Sequence, residues 1–268
     1  MAVDPPFVST AVEAALAAGR IHLQYFRRRP AIQKKGRIDL VTAADLETER
    51  AFRALIGSRF PDHVVVGEEG VGAAPDARCR WIIDPVDGTT NFAHGLALFC
   101  VSIALEIDGR IELGVVYDPI AEELFVAERG DGARLNGAPL QVTDCDTLVD
   151  ALLVTGFPYT VREDRRQQVA VFAAMLEEAQ AVRRLGSAAL DLCYVAAGRF
   201  DGFWEQSLKP WDMAAGALIV LEAGGHVTGI DGRPFDLRGG HILAANPRLH
   251  PAMLHSIDAW RAGGQPDR

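Results

Sequence analysis

Residues 81–95 read Trp81-Ile82-Ile83-Asp84-Pro85-Val86-Asp87-Gly88-Thr89-Thr90-Asn91-Phe92-Ala93-His94-Gly95. The apolar run Trp81-Ile82-Ile83 has the pattern of a buried strand nearing its end. It passes into Asp84 and Asp87, two carboxylates separated by Pro85 and Val86, and then into a stretch able to open a helix. Paired carboxylates at a strand end can share a hard divalent cation such as Mg²⁺. Pro85 restricts the backbone between them, and Gly88, lacking a Cβ, lets the main chain approach a ligand closely. Backbone N–H groups at a helix start, here those of Gly88 and Thr89, favour an anion such as phosphate. Metal ligands beside a phosphate cradle are what metal-assisted phosphoryl hydrolysis needs. Taken alone, Asp-Pro-x-Asp-Gly is an ordinary polar turn. Partners elsewhere in the chain change that reading.

The chain of 268 residues is long enough for one large or two compact domains. With 49% hydrophobic and 24% charged residues, neither disorder nor a membrane protein is indicated. A formal net charge of −9 argues against a nucleic-acid backbone as partner. The same charge opposes a phosphate substrate unless cations offset it locally. Cys79, Cys100, Cys145 and Cys193 form no C-x-x-C pair and suit a reducing compartment. The first residues lack signal-peptide features, and no apolar run is long enough to span a bilayer. The expectation is a cytoplasmic protein without a membrane partner.

Outward from residues 81–95, the periodicity of 7–26 predicts a helix preceded by Pro5-Pro6. Residues 32–42 predict a short hairpin or mobile loop. Residues 42–60 predict a helix with Leu46, Phe52, Leu55 and Ile56 on its apolar face, and Thr42-x-x-Asp45 fits a capping box. Val64-Val65-Val66 predicts a buried strand ended by Gly67-Glu68-Glu69-Gly70. Strands are expected at 99–107 and 111–117, joined by the hairpin signal Asp108-Gly109. Residues 123–128 continue the sheet, and Asn136-Gly137 marks another tight turn. This succession predicts an antiparallel sheet in the first half. Past Asp144 the pattern alternates. Strands are expected at 152–155, 200–205 and 242–245, and helices at 165–180, 189–197, 212–222 and 251–260, which gives a second layered α/β unit. The division falls between 1–143 and 144–268.

Three motifs stand in order: Gly67-Glu68-Glu69, then Asp84-Pro85-Val86-Asp87-Gly88-Thr89-Thr90-Asn91-Phe92, then Trp211-Asp212-Met213-Ala214-Ala215-Gly216. With them the chain resembles the inositol monophosphatase family, part of a superfamily of metal-dependent, lithium-sensitive phosphatases. The resemblance runs from the first helix to Ala245-Asn246-Pro247. It implies an α+β, layered αβαβα sugar-phosphatase-type fold. An N-terminal domain (1–143) would carry antiparallel sheet and most metal ligands, and a mixed α/β domain (144–268) would complete the site.

The resemblance also implies two or three Mg²⁺ ions, with Mn²⁺ as a substitute, held by Glu68, Asp84, the Val86 carbonyl, Asp87 and Asp212. Asp45, Thr89 and Glu68 would be catalytic, with Asp45 and Thr89 orienting and deprotonating the attacking water. Backbone N–H groups of Gly88 and Thr89 would hold phosphate oxygens. Asp87, Gly186, Ser187, Ala188, Glu205 and Asp212 would contact substrate, and Lys34 would be a loop lysine near the metals. A homodimer and inhibition by Li⁺ are further implications. Bland readings stand beside these. Asp45 is explained as a capping carboxylate, Asp212 as a first-turn residue favoured by the helix dipole, and Ser187 as ordinary capping chemistry. Glu69 is either a support for the ligands or a surface residue, and Arg183-Arg184 reads better as a structural pair than as a phosphate clamp. The histidines form no H-E-x-x-H motif, so an oxygen-rich site favours Mg²⁺ or Mn²⁺ over zinc.

The expected function is Mg²⁺-dependent hydrolysis of inositol monophosphate by direct attack of water, with no covalent phosphoenzyme. The same chemistry on fructose-1,6-bisphosphate, histidinol phosphate or 3′-phosphoadenosine 5′-phosphate is the alternative. A non-catalytic interaction protein on this scaffold is the third reading.

Overall fold

The structure, a computed structural model, describes residues 5–26, 32–34, 40–70, 77–158 and 165–261. The first helix, α1 (Pro5–Phe26), is followed by a two-stranded antiparallel hairpin, β1 (Ile32–Lys34) with β2 (Leu40–Thr42). The tip of the expected 32–42 loop, residues 35–39, lies outside the described residues, as does the tail 262–268. Helix α2 (Ala43–Arg59) starts at the predicted capping box. The Thr42 hydroxyl accepts from the Ala44 N–H, and the Asp45 carboxylate accepts from the Thr42 N–H at 2.9 Å. Asp45 thus satisfies a donor that the first turn leaves unpaired.

One expectation about α2 fails. Leu46, assigned to the apolar face, is 47% exposed. The buried stripe is instead Ala44, Asp45, Thr48, Glu49, Phe52 and Ile56. The inward face is polar near its start because it abuts an acidic pocket, so hydrophobic periodicity alone misplaces the stripe.

Seven strands form the first sheet, in the order β3 (Val64–Gly67), β4 (Cys79–Asp87), β5 (Cys100–Ile107), β6 (Arg110–Asp118), β7 (Glu123–Glu128), β8 (Gly132–Leu135) and β9 (Ala138–Pro139). The short helix α3 (Thr89–His94) follows β4. Every pairing from β4 onward is antiparallel, as expected, but β3 runs parallel to β4. Asp108 (φ 50°) and Gly109 (φ 78°) make the β5–β6 turn, and Asn136 (φ 49°) and Gly137 (φ 85°) the β8–β9 turn. Positive φ at both central residues matches the right-handed twist of the paired strands.

The second sheet has five strands in the order β11 (Ala181–Arg183), β10 (Leu152–Thr155), β12 (Gly202–Gln206), β14 (His241–Ala245) and β13 (His226–Thr228). Strand β10 is parallel to both neighbours, and the remaining pairs are antiparallel. Helices α5 (Ala188–Ala196) and α6 (Pro210–Glu222) lie between the two sheets, and α4 (Arg165–Glu178) and α7 (His250–Arg261) cover the far face of the second.

The period of two along each strand builds these layers. Trp81 and Ile83 face α1 and α2, whereas Ile82 between them faces α5 and α6. In the second sheet Phe203 and Ile242 face inward to α5 and α6, and Trp204 and Leu243 face α4 and α7. Helices α5 and α6 are buried nearly all round, which explains why Leu190, Leu192, Val195, Leu218, Ile219 and Val220 follow no amphipathic stripe. Trp81 is fully buried, donates its indole N–H to His63 Nδ1 at 3.0 Å, and packs against Phe52 and Phe60. Truncating such a residue to alanine costs roughly 3–5 kcal/mol. No helix among the described residues is long and apolar enough to cross a membrane.

The middle layer sits tight on the first sheet at Gly114, where an added Cβ would stand 2.8 Å from the Ala215 carbonyl oxygen and 3.1 Å from its Cα. Gly114→Ala is therefore expected to lower unfolding free energy by about 1–3 kcal/mol in urea titration. Gly57→Ala, in α2 with no neighbour within 4 Å of the new methyl, is expected to raise it by about 0.5–1 kcal/mol. Equal effects at the two positions would contradict the close approach of α6 to β6.

Candidate active site

The acidic residues singled out in the sequence come from five separate places in the chain: Asp45 from the start of α2, Glu68 from the exit of β3, Asp84 and Asp87 from the end of β4, Glu205 from β12 and Asp212 from the first turn of α6. The sequence suggests that strand β4 stops at Ile83. It runs on through Asp87 instead. Asp84 pairs with Ser102 and Asp87 with Cys100, so three steps on β4 oppose two on β5. That extra residue is a β-bulge, placed where Pro85 has no N–H to give the ladder. The bulge keeps both carboxylates in the sheet while turning them into one pocket. Asp84 Oδ1 accepts from the Val86 N–H at 3.0 Å.

Gly88 then turns the chain with φ 92°, and α3 starts at Thr89. A side chain at 88 is excluded twice, by the left-handed backbone and by the Leu98 carbonyl oxygen 2.9 Å from the position of a Cβ. The Thr89 hydroxyl lies 2.8 Å from the Val86 carbonyl and 3.3 Å from Asp45 Oδ1. Asp45 divides its work between its two oxygens. Oδ2 takes the Thr42 N–H and, at 2.5 Å, the Thr42 hydroxyl, while Oδ1 faces Thr89. The capping and catalytic readings are geometrically compatible.

Asp87 Oδ2 accepts from Ser187 Oγ at 2.6 Å and from the Ala189 N–H at 2.8 Å. Ser187 occupies the N-cap of α5, but its side chain makes no capping bond. The carboxylate of Asp87, from the other half of the chain, performs that service, which corrects the expectation of ordinary capping at Ser187. Asp212, in the first turn of α6, accepts from the Lys209 N–H at 2.7 Å. Glu205, near the end of β12, is 8% exposed. Its carboxyl packs directly against Gly156, so a side chain there would have to displace it. Gly186, Ser187 and Ala188 stand at the start of α5, joined to α3 by Asn91, whose amide donates to the carbonyls of Leu98 and Leu185, each at 2.9 Å. Lys34 ends β1, and its side chain lies outside the described residues.

Burial, together with the charges of Glu68, Asp87, Asp212 and Asp45, pushes the Asp84 carboxyl well above the usual carboxylate range. Burial raises Asp87 as well, against the lowering bonds from Ser187 and the α5 backbone. Asp212 is pushed up to about 8, first by burial and then by Asp87. Glu205 is likewise raised to about 8 by burial and by Asp212. Asp45 rises to about 6, mainly by burial. Like charges gathered in a desolvated pocket oppose one another's ionisation, and bound cations reverse that logic.

Among the described residues, three acidic side chains whose oxygens all lie within 4.8 Å of one another are Asp45, Glu68 and Glu69. Of the two roles open to Glu69, support for the ligands or a place on the surface, the fold favours the first, since it turns Glu69 towards Asp45 and Glu68. Its N–H donates to Glu49 Oε2 at 2.8 Å. Glu49 in turn binds Arg53 at 2.9 and 2.6 Å, and Arg53 donates to the carbonyls of Val65 and Gly70. This pair on α2 fixes the loop that carries Glu68. Glu49 belongs to none of the sequence motifs, and its only signal in the chain is the i, i+4 spacing to Arg53.

His22 likewise belongs to none of the motifs. It is fully buried, its Nε2 lies 2.7 Å from the Pro85 carbonyl, and burial lowers its pKa to about 4. The neutral ring therefore donates from Nε2, bracing the peptide between the two aspartates. Its signal was faint: a histidine extending the buried Ala11-Ala15-Ala18 stripe of α1. Asp191, fully buried, has neither carboxyl oxygen hydrogen-bonded, and burial with Glu205 beside it raises its pKa well above normal.

A fold of five alternating helical and sheet layers, with acidic side chains gathered at their junction, defines a phosphatase-type α+β scaffold. The profile of the "Inositol monophosphatase family" matches residues 4–261. The chain is 44% identical to the inositol-1-monophosphatase of Synechocystis sp., covering 94% of this chain and 89% of that protein. It is also 44% identical to a protein of Pasteurella multocida named Nus factor SuhB, covering 94% and 96% of the two chains. The crystal structure of the extragenic suppressor protein suhB from Bartonella henselae superposes with a TM-score of 0.89 at 39% identity, over 94% of this chain and 98% of that one. The chain belongs to the inositol monophosphatase family, whose members are metal-dependent phosphomonoesterases. The acidic set fits that chemistry: hard carboxylate oxygens such as those of Asp45, Glu68 and Glu69 suit Mg²⁺, and a divalent cation relieves the mutual repulsion of gathered acids.

The tie between Asp87 and α5 yields a direct expectation. Ser187→Ala should cost about 1–3 kcal/mol of unfolding free energy, because it strips a hydrogen bond from a buried carboxylate. Urea melts of the metal-free protein measure this, and an unchanged midpoint would mean that Ser187 does not hold Asp87.

Proposed function

We propose that this chain hydrolyses the phosphate ester of inositol monophosphate, with Mg²⁺ held by Glu68, Asp84, Asp87, Asp212 and the Val86 carbonyl. The observation that carries the reading is that Asp45, Glu68 and Glu69 each offer an oxygen within 4.8 Å of the others, while Thr89 ties Asp45 to the strand end that carries the buried Asp84 and Asp87. Held by these residues, the cation would supply a water of lowered pKa and charge neutralisation at the ester oxygens. The residues of the chain supply the rest. The Thr89 hydroxyl has one proton, and giving it to Val86 O at 2.8 Å leaves Asp45 Oδ1 able to take a proton from water. A carboxyl raised to about 6 is suited to that general-base role near neutrality. Gly88 and Thr89, at the start of α3, present N–H groups without an intrahelical acceptor to the phosphate oxygens. Glu205 and the first residues of α5 face the polyol, where a buried carboxylate discriminates hydroxyl groups strongly.

Asp84→Asn is expected to reduce phosphate release by at least about a thousandfold while the far-ultraviolet circular dichroism stays native. Turnover within tenfold of wild type would refute the site. The rate at limiting substrate should fall as pH drops through the Asp45 range, because protonation removes the base. The midpoint should lie at or below about 6, since bound cations can only lower it. Turnover compared across inositol monophosphate, fructose-1,6-bisphosphate, histidinol phosphate and 3′-phosphoadenosine 5′-phosphate decides the substrate. A preference of more than tenfold for one of the last three would reassign it. A homodimer and inhibition by Li⁺ belong to the same proposal and are checked by sizing chromatography and by Li⁺ titration of the rate.

The name Nus factor, borne by relatives 44% and 46% identical, supports a second reading, in which the chain also has an interaction role beside catalysis. On that reading Asp84→Asn keeps the interaction and loses only hydrolysis.

A further inference from the structure

The bulge in β4 leaves one peptide outside the register with β5, the one that joins Pro85 to Val86. Buried main-chain groups must find partners elsewhere when the ladder does not supply them. The Val86 N–H donates to Asp84 Oδ1 at 3.0 Å, and the Pro85 carbonyl oxygen lies 2.7 Å from His22 Nε2. A carbonyl oxygen only accepts, so Nε2 carries the proton. One peptide plane is thus gripped at both ends, by an imidazole from α1 and by a carboxylate of the acidic pocket.

Helix α1 is built to bring that imidazole in. Ala11, Ala15 and Ala18 are buried at helical spacing on the stripe that His22 continues, and their small side chains let α1 lie close to the first sheet. At Gly19 an added Cβ would run into the Tyr117 ring. The His22 ring is fully buried, edge-on to Phe92 and Phe99 with centroids 6.2 and 5.9 Å away. Its Nδ1 has no hydrogen-bond partner among the described residues. Moving the proton to Nδ1 would bury an unpaired N–H and set a lone pair against the Pro85 carbonyl. An apolar ring would fill the same cage without desolvating two nitrogens. Packing therefore does not account for a histidine here, and its one donated hydrogen bond does.

We infer that His22 is a positioning residue for the cation site, acting through the 85–86 peptide to fix which oxygen of Asp84 faces the cation. Donation to the carbonyl end of a peptide strengthens donation from its N–H end, so His22 tightens the bond that holds Asp84 Oδ1. With Oδ1 engaged, Oδ2 is the oxygen left for a cation. This role rests on the proposed Mg²⁺ at Asp84. Partners that orient a metal ligand from behind typically change metal affinity by roughly 10–100-fold.

Two measurements test it. The first needs no metal: nitrogen NMR of the His22 ring in isotope-labelled, metal-free protein should show Nε2 protonated and Nδ1 bare. The opposite tautomer would overturn the inference. The second is binding of Mn²⁺ alone, read by loss of the free-ion paramagnetic resonance signal. His22→Phe keeps an aromatic ring and removes the donor, and should weaken Mn²⁺ roughly tenfold or more. His22→Gln restores an N–H donor on a side chain of similar length, and should recover most of that loss. In turnover His22→Phe should need correspondingly more Mg²⁺, while kcat at saturating Mg²⁺ stays close to wild type. Near-ultraviolet circular dichroism and the urea midpoint establish that each variant is folded. Unchanged Mn²⁺ binding in folded His22→Phe, or no recovery in folded His22→Gln, overturns the role. Asp84→Asn in the same titration separates the two readings. If it loses Mn²⁺ while His22→Phe keeps it, only the role of His22 fails. If it binds Mn²⁺ like wild type, the cation reading of the pocket fails.

Discussion

Carboxylates buried side by side repel each other, and this protein is built to hold several that way. Asp45, Asp84 and Asp87 are buried, and Glu68 and Asp212 half-buried, on α2, the β3 exit, β4 and α6. The fold restrains the acids through their own hydrogen bonds. Asp45 is fixed by Thr42, Asp212 by the Lys209 N–H, and Asp87 by Ser187 and Ala189. In each case a carboxylate serves the start of a helix, where unpaired N–H groups and the helix dipole favour negative charge. Local stabilisation of three helices thus offsets part of the cost of desolvating the acids.

The same bonds join the two halves of the chain. Asp87 reaches across to α5, Asn91 holds the Leu185 carbonyl, and Ser102 donates to the Trp211 carbonyl at 3.1 Å. Between them α5 and α6 are sealed on both faces by sheets, and Gly114 lets α6 settle onto β6. Rigid packing of the middle layer is what makes a site assembled from distant segments repeatable to the accuracy that phosphoryl transfer demands.

Support for the site lies largely behind the acids. His22 braces the Pro85 peptide, and Glu49 with Arg53 fixes the 65–70 turn. Neither His22 nor Glu49 belongs to a motif. They touch main-chain groups rather than side chains of the acidic set, so the identity of their partners leaves no mark in the sequence around them.

The order of elements was legible in the chain because it rests on local physics. Apolar alternation marked the strands, Asp108-Gly109 and Asn136-Gly137 marked the turns, and Thr42-x-x-Asp45 marked the start of α2. The acidic motifs were legible too, since a run such as Asp84 to Phe92 is too specific for a turn. Tertiary structure alone decided which face of α2 turns inward, that β4 bulges at Pro85 instead of ending, and that Asp87 rather than Ser187 caps α5. Each of these depends on a partner far away in sequence: an acidic pocket, a neighbouring strand, a helix a hundred residues on. Periodicity reports only whether a residue can be buried, and the identity of what it is buried against is settled when the layers meet.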